Sequence, residues 1–135
     1  MNRWFKSPDT GLLLLRLAIA GLLFAHGQMK WGLWSMQPSE QLPTGMLYLL
    51  RFIGIAEPLA ALALTAGYLT RLASFLQSLV MLGAINFKIN IMKAAFVAQD
   101  TTGWELDLLV LAGLLCLLFT GPGRFSLTER LSARN

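Results

Sequence analysis

The sequence predicts an all-α membrane protein, a four-transmembrane-helix bundle with both termini on the cytoplasmic side. Three observations predict it. Of the 135 residues, 56% are hydrophobic and only 13% charged, with a mean hydropathy of +0.60, far outside what a soluble domain of this size tolerates. Four apolar runs, 11–31, 46–68, 72–90 and 104–121, approach the roughly 20 residues that a bilayer core demands of a helix. Basic residues gather before the first run (Arg3, Lys6), between the second and third (Arg71) and after the fourth (Arg124, Arg130, Arg134), and positive charge marks the cytoplasmic side. The runs leave almost no room for a soluble domain. Residues 1–135 therefore read as one membrane domain that closes with a short cytoplasmic segment, 122–135.

The opening MNRWFKSPDTG puts Trp4 and Phe5 at the interface and a structure-breaking SPDTG just before the first span. That span is too long for a secretory signal core, contains Arg16 and His26, and ends in HGQMKWG without a small-x-small cleavage site, so it reads as retained. WSMQPSEQLPTG, with two prolines and a glycine, reads as an outer loop. The second and third spans are joined only by LTR and form an antiparallel hairpin. The longer connection around KAAFVAQDTTG ends in a helix start, Thr102 before Trp104 and Glu105. Gly121 and Pro122 end the fourth span, and Ser126 with Glu129 has capping-box spacing for a short final helix.

Polar residues inside the spans carry the functional signal. Glu57 falls near the centre of the second span, and Pro58 beside it removes the backbone hydrogen bond to the Gly54 carbonyl and predicts a kink. A carboxylate at mid-bilayer costs about 2.5–3.5 kcal/mol on insertion scales, so it should face inwards and meet a cation. Arg16 is the first candidate partner. His26 and Lys30 lie one turn apart with Arg16 within about 80° of both, a polar stripe on the first helix. Asn86 and Asn90 form a second stripe that Lys93 continues, whereas Lys88 points elsewhere and snorkels. The expected polar cavity is thus Arg16, His26, Lys30, Glu57, Asn86, Asn90 and Glu105, most of it in the outer half. Simpler roles stand beside this: a register-fixing Arg16–Glu57 pair, a His26 bonded to a neighbour, asparagines as interhelical glue, and Glu105 placed by the helix dipole.

Several chemistries are excluded or unsupported. Cys116 is the lone cysteine, reads as buried packing in the fourth span, and has no intramolecular disulfide partner. One histidine and one cysteine at different depths make no metal site. His26 alone does not specify a haem, and GPGRFS lacks the strand-to-helix context of a nucleotide loop. The net charge of +4 is scattered and forms no nucleic-acid patch.

In order, LLLLRLAIAGLLFAHGQMKW, GIAEPLAALALTAGYLTRLAS and GWELDLLVLAGLLCLLFTGPGRFSL resemble the DoxX family of small bacterial inner-membrane proteins over nearly the whole chain. The resemblance assigns the family's first-span arginine to Arg16, its histidine-glycine and lysine to His26, Gly27 and Lys30, its second-span glutamate to Glu57, its Gly-x-x-Thr-Arg to Gly67, Thr70 and Arg71, and its fourth-span glutamate to Glu105. The chain departs at Thr128, where the family often has aspartate. The resemblance implies a multi-pass protein of the bacterial inner membrane, a subunit of a quinone- or thiol-linked redox system connected with oxidative stress. It also implies a protein partner in that complex, with self-association left open. A small-solute carrier or channel subunit and a membrane scaffold for a partner protein are the alternative readings. Quinone is the one cofactor the resemblance suggests.

Overall fold

The first helix, α1 (Pro8–Met29), begins inside SPDTG rather than after it. Proline is well suited to the first turn, because its missing N–H would be unsatisfied there anyway and its φ is already helical. Asp9, next along, accepts the backbone N–H of Arg124 at 2.9 Å and ties this end to the C-terminal segment. The computed structural model describes residues 7–99 and 103–133. The expectations for Arg3, Trp4, Phe5, Lys6, Thr102 and Arg134 lie outside the described residues.

Beyond Met29 the chain tightens into a 3-10 segment, Lys30–Ser35. The second helix, α2, spans Thr44–Ala66 and ends at Gly67 with φ 68°. There the Tyr68 N–H donates to the Ala63 carbonyl at 3.0 Å and the Gly67 N–H to the Leu64 carbonyl at 3.1 Å, the paired bonds that close a helix on a left-handed residue. Helix α3 (Thr70–Asn90) starts at once. The hairpin turn is therefore residues 67–69, and Thr70 and Arg71 belong to α3 rather than to the connection. Helices α4 (Glu105–Thr120) and α5 (Leu127–Ser132) complete the chain, and Ser126 Oγ caps α5 by accepting the Glu129 N–H at 3.3 Å.

Pro8–Ser35, Thr44–Ala66 and Thr70–Asn90 are long and apolar enough to cross a membrane. Helix α4, with 16 residues, is about 24 Å long and falls short of a full span by length. Helix α1 lies against α2 and α4, and α3 against α4 and α2. Between them Ile19, Ala20, Leu23, Ala60, Ala61, Leu64, Ala73, Leu111, Leu114 and Leu117 form the apolar core. Phe52, Leu59, Leu62, Leu109 and Phe119 are more than half exposed on the outer faces, the arrangement of helices whose surroundings are lipid. Cys116 also faces outwards. Helix α4 buries Asp107, Val110, Leu111, Leu114 and Leu117, and residue 116 lies off that face, which corrects the expectation of a packed thiol.

The molecule has two distinct ends. One holds the start of α1, the α2–α3 turn and α5; the other holds the 3-10 segment, the start of α2, and the α3–α4 connection.

Candidate functional site

Helix register decides which charges meet. Gly27 sits directly on the Pro58 ring and the Glu57 Cβ, so closely that a Cβ at position 27 would collide with the ring, while Gly67 sits against Arg16 and Ser126. Glu57 is therefore level with residue 27 of α1, and Arg16 lies about 16 Å further down the helix at 1.5 Å per residue. Arg16 and Glu57 do not pair. This corrects the expected partnership, which rested on both facing inwards and had no information on register.

Glu57 pairs with Lys30 instead. Lys30 Nζ lies 2.6 Å from Glu57 Oε2, and the carboxylate side chain is 2% exposed. The same ammonium donates to the His26 carbonyl at 3.1 Å, satisfying an acceptor in the last turn of α1 with a cation at the negative end of the helix dipole. The carbonyl that Pro58 orphans is also satisfied. Trp31 Nε1 donates to the Gly54 carbonyl at 3.0 Å, a bond possible because the 3-10 segment lays the indole along α2.

Arg51 holds that segment down. Its Nε donates to the Leu33 carbonyl at 3.1 Å and its Nη2 to the Met36 carbonyl at 2.8 Å, and its guanidinium lies 5.8 Å from the Trp34 ring centre and 5.5 Å from that of Tyr48, within cation–π reach. Trp31, Trp34, Gly54, Ile55, Pro58 and Leu59 then line an open apolar groove of about 350 Å³ on the outside of α2. Pro58 is among the residues that line the groove, and its chain neighbour Glu57 is buried and takes no part in the lining.

A second buried pair joins α3 and α4. Lys88 Nζ lies 2.6 Å from Asp107 Oδ2 and donates to the Gly103 carbonyl at 3.0 Å. Lys88 therefore does not snorkel outwards; the expectation missed that Asp107 stands in the first turn of α4 on its buried face. His26 turns towards this side, where it lines a narrow cavity of about 10 Å³ with Met81, Leu106, Asp107 and Val110. Glu105 opens α4 with its Oε2 buried beside Gly103. Asn86 and Asn90 bond to each other at 2.6 Å on an exposed face and do not join the interior cluster.

Arg16 is fully buried at the opposite end. Its Nη1 donates to the Pro122 carbonyl at 2.8 Å and its Nη2 to the Phe125 carbonyl at 2.6 Å, so a planar fork clasps the Gly-Pro-Gly turn. Thr128 Oγ1 adds a bond to the Gly67 carbonyl at 2.8 Å, giving the residue that departs from the family pattern a docking role. The expected cavity is thus two places. Lys30, Glu57, His26 and Glu105 lie towards one end with Lys88, Asp107 and Trp31, which the expected cavity left out, and Arg16 lies at the other.

Among the described residues no group of three or more metal-ligating side chains converges. In comparisons with known proteins, the DoxX family model matches residues 11–91, more than half of the chain. No curated protein and no solved structure matches.

Proposed function

The chain belongs to the DoxX family, and on that premise we propose that it is a multi-pass inner-membrane protein serving as the membrane subunit of a quinone- or thiol-linked redox system. One observation carries the reading: the tryptophan-lined groove includes Pro58, and the next residue along α2, Glu57, forms a buried pair with Lys30. A flat, lipid-soluble quinone ring suits a groove with two indoles, because aromatic faces stack offset or edge-on. Reduction of a quinone to a quinol takes up two electrons and two protons. This reading assigns the proton exchange to Glu57, which is buried against Lys30 and is the chain neighbour of the groove residue Pro58. The electrons come from a partner that oxidises two thiols to a disulfide, since this chain has a single cysteine and it faces outwards on α4.

The same proposal takes α4 as a fourth span and both termini as cytoplasmic. What supports the fourth span is that α4 matches α3 end to end: Asp107 meets Lys88 near one end, and Gly121 packs on Arg71 near the other. Arg71, Arg124 and Arg130 then share one side of the membrane, as positive charge on the cytoplasmic face requires.

Mass spectrometry of lipids and proteins that co-purify in mild detergent tests the reading. A bound quinone that is lost in Trp31→Ala supports it; a preparation with no quinone and no redox partner overturns it. Glu57→Gln tests the proton role, because it keeps shape and removes the titratable proton. A folded Glu57→Gln protein that complements a deletion strain under thiol or oxidant stress as fully as wild type would reduce Glu57 to a structural partner of Lys30.

A further inference from the structure

Helix α3 carries a buried polar stripe that no charged residue explains. Thr70, Ser74 and Gln77 are respectively 2%, 0% and 2% exposed and recur at the spacing that lines one helix face. Thr70 Oγ1, Ser74 Oγ and Gln77 Oε1 are buried without a hydrogen-bond partner, and so is Arg16 Nε at the α5 end. A hydroxyl on a helix in lipid ordinarily bonds back to the carbonyl four residues earlier. Thr65, Ser78 and Thr120 all do so, at 2.8, 2.8 and 2.6 Å. Ser74, on the same helix as Ser78, does not. Leaving a polar group buried and unpaired is destabilising, so these four atoms call for a common partner.

We propose that the stripe is a binding site for a short file of internal water molecules running from Arg16 to Gln77. The spacing fits. Thr70 to Ser74 is a rise of about 6 Å and Ser74 to Gln77 about 4.5 Å, and a water with two hydrogen bonds of about 2.8 Å spans roughly that gap.

The chemistry fits as well. A closed chain of waters needs a donor at one end, an acceptor at the other, and groups between that do both. Arg16 Nε–H donates only, the Thr70 and Ser74 hydroxyls do both, and Gln77 Oε1 accepts only. The amide nitrogen of Gln77 is already engaged with the Ala56 carbonyl at 3.4 Å, which fixes the acceptor end one residue from Glu57. The file therefore links the clasp on α5 to the Glu57–Pro58 segment of α2. A guanidinium at one end and an amide at the other pass no proton, so the site holds water and does not conduct. This inference is independent of what the tryptophan groove binds.

A structure of the whole protein in a lipid nanodisc, at a resolution that shows ordered water, tests it. Waters between Thr70, Ser74 and Gln77, lost in a Gln77→Leu protein and retained in Ser78→Ala, are the expected result. A Ser74 hydroxyl turned onto the Thr70 carbonyl, with side chains filling the space, overturns it. Proton flux through proteoliposomes of wild type, driven by an imposed potential and read by a pH dye, should equal that of protein-free vesicles. Flux that Gln77→Leu abolishes would overturn the closed file in favour of a conducting path.

Discussion

Lys30 Nζ meets Glu57 Oε2 at 2.6 Å at the place where α1 gives up its α-helical geometry. Lys30 is the first residue of the 3-10 segment, and its ammonium reaches back to the His26 carbonyl while holding the carboxylate of α2. One side chain thus closes a helix and neutralises a buried anion. Gly27 makes the meeting possible by letting the two helices touch.

Breaking either side of this pair leaves a buried charge alone. Lys30→Met or Glu57→Ala is expected to lower stability by roughly 3–5 kcal/mol, the effect of orphaning one member of a buried pair. The double variant Lys30→Met with Glu57→Leu should recover most of that loss, since an apolar replacement of both partners removes the desolvation cost. Chemical unfolding in detergent micelles measures all three. A loss in the double variant equal to the sum of the two single losses would show that the pair is not coupled.

Gly27→Ala should destabilise the α1–α2 contact by about 1–3 kcal/mol, the usual cost of overpacking a fitted interface, because the added methyl group collides with the Pro58 ring. Gly21→Ala on the same helix is the control. Nothing lies within 4 Å of a Cβ there, so its thermal midpoint should match or slightly exceed wild type.

The helices were legible in the sequence because their signals are local. Apolar runs located α1 to α4 within a few residues, and Ser126 with Glu129 announced the cap of α5. The polar partners were not legible, because pairing depends on register between helices far apart in sequence. Periodicity put Arg16, His26 and Lys30 on one stripe, yet Lys30 lies past the end of α1 and turns to α2 while His26 faces α4. Asn86 and Asn90 obeyed their predicted spacing and point outwards, since spacing fixes a shared face without saying which face is inside. A readable signal was missed at Asp107, which falls on the buried side of α4 with Val110, Leu111 and Leu114.

Orientation follows from the proposed cytoplasmic termini. In a Cys116→Ser background, a cysteine at Ser39 should react with a membrane-impermeant maleimide added from the periplasm, and one at Ser132 should react only after the membrane is opened. Ser39 sits in the exposed turn before α2, and Ser132 ends α5. The opposite labelling pattern would invert the topology.

The clasp on the C-terminal segment gives the last prediction. Arg16 holds two backbone carbonyls through two nitrogens of one planar group, a geometry that a lysine ammonium does not reproduce. Arg16→Lys should therefore weaken the docking of residues 122–132 while leaving the helix core in place. Hydrogen bonds from charged groups contribute about 1.5–3 kcal/mol each, against about 0.5–1.5 for a neutral one, so Thr128→Val, which removes only the hydroxyl bond to Gly67, should have the smaller effect. Limited trypsin digestion reads the difference, because Arg124 and Arg130 lie in the segment that would be released. Cleavage there should be fastest in Arg16→Lys, intermediate in Thr128→Val and slowest in wild type. Equal rates in all three proteins would mean that the segment is held by the packing of Phe125 and its neighbours rather than by the guanidinium.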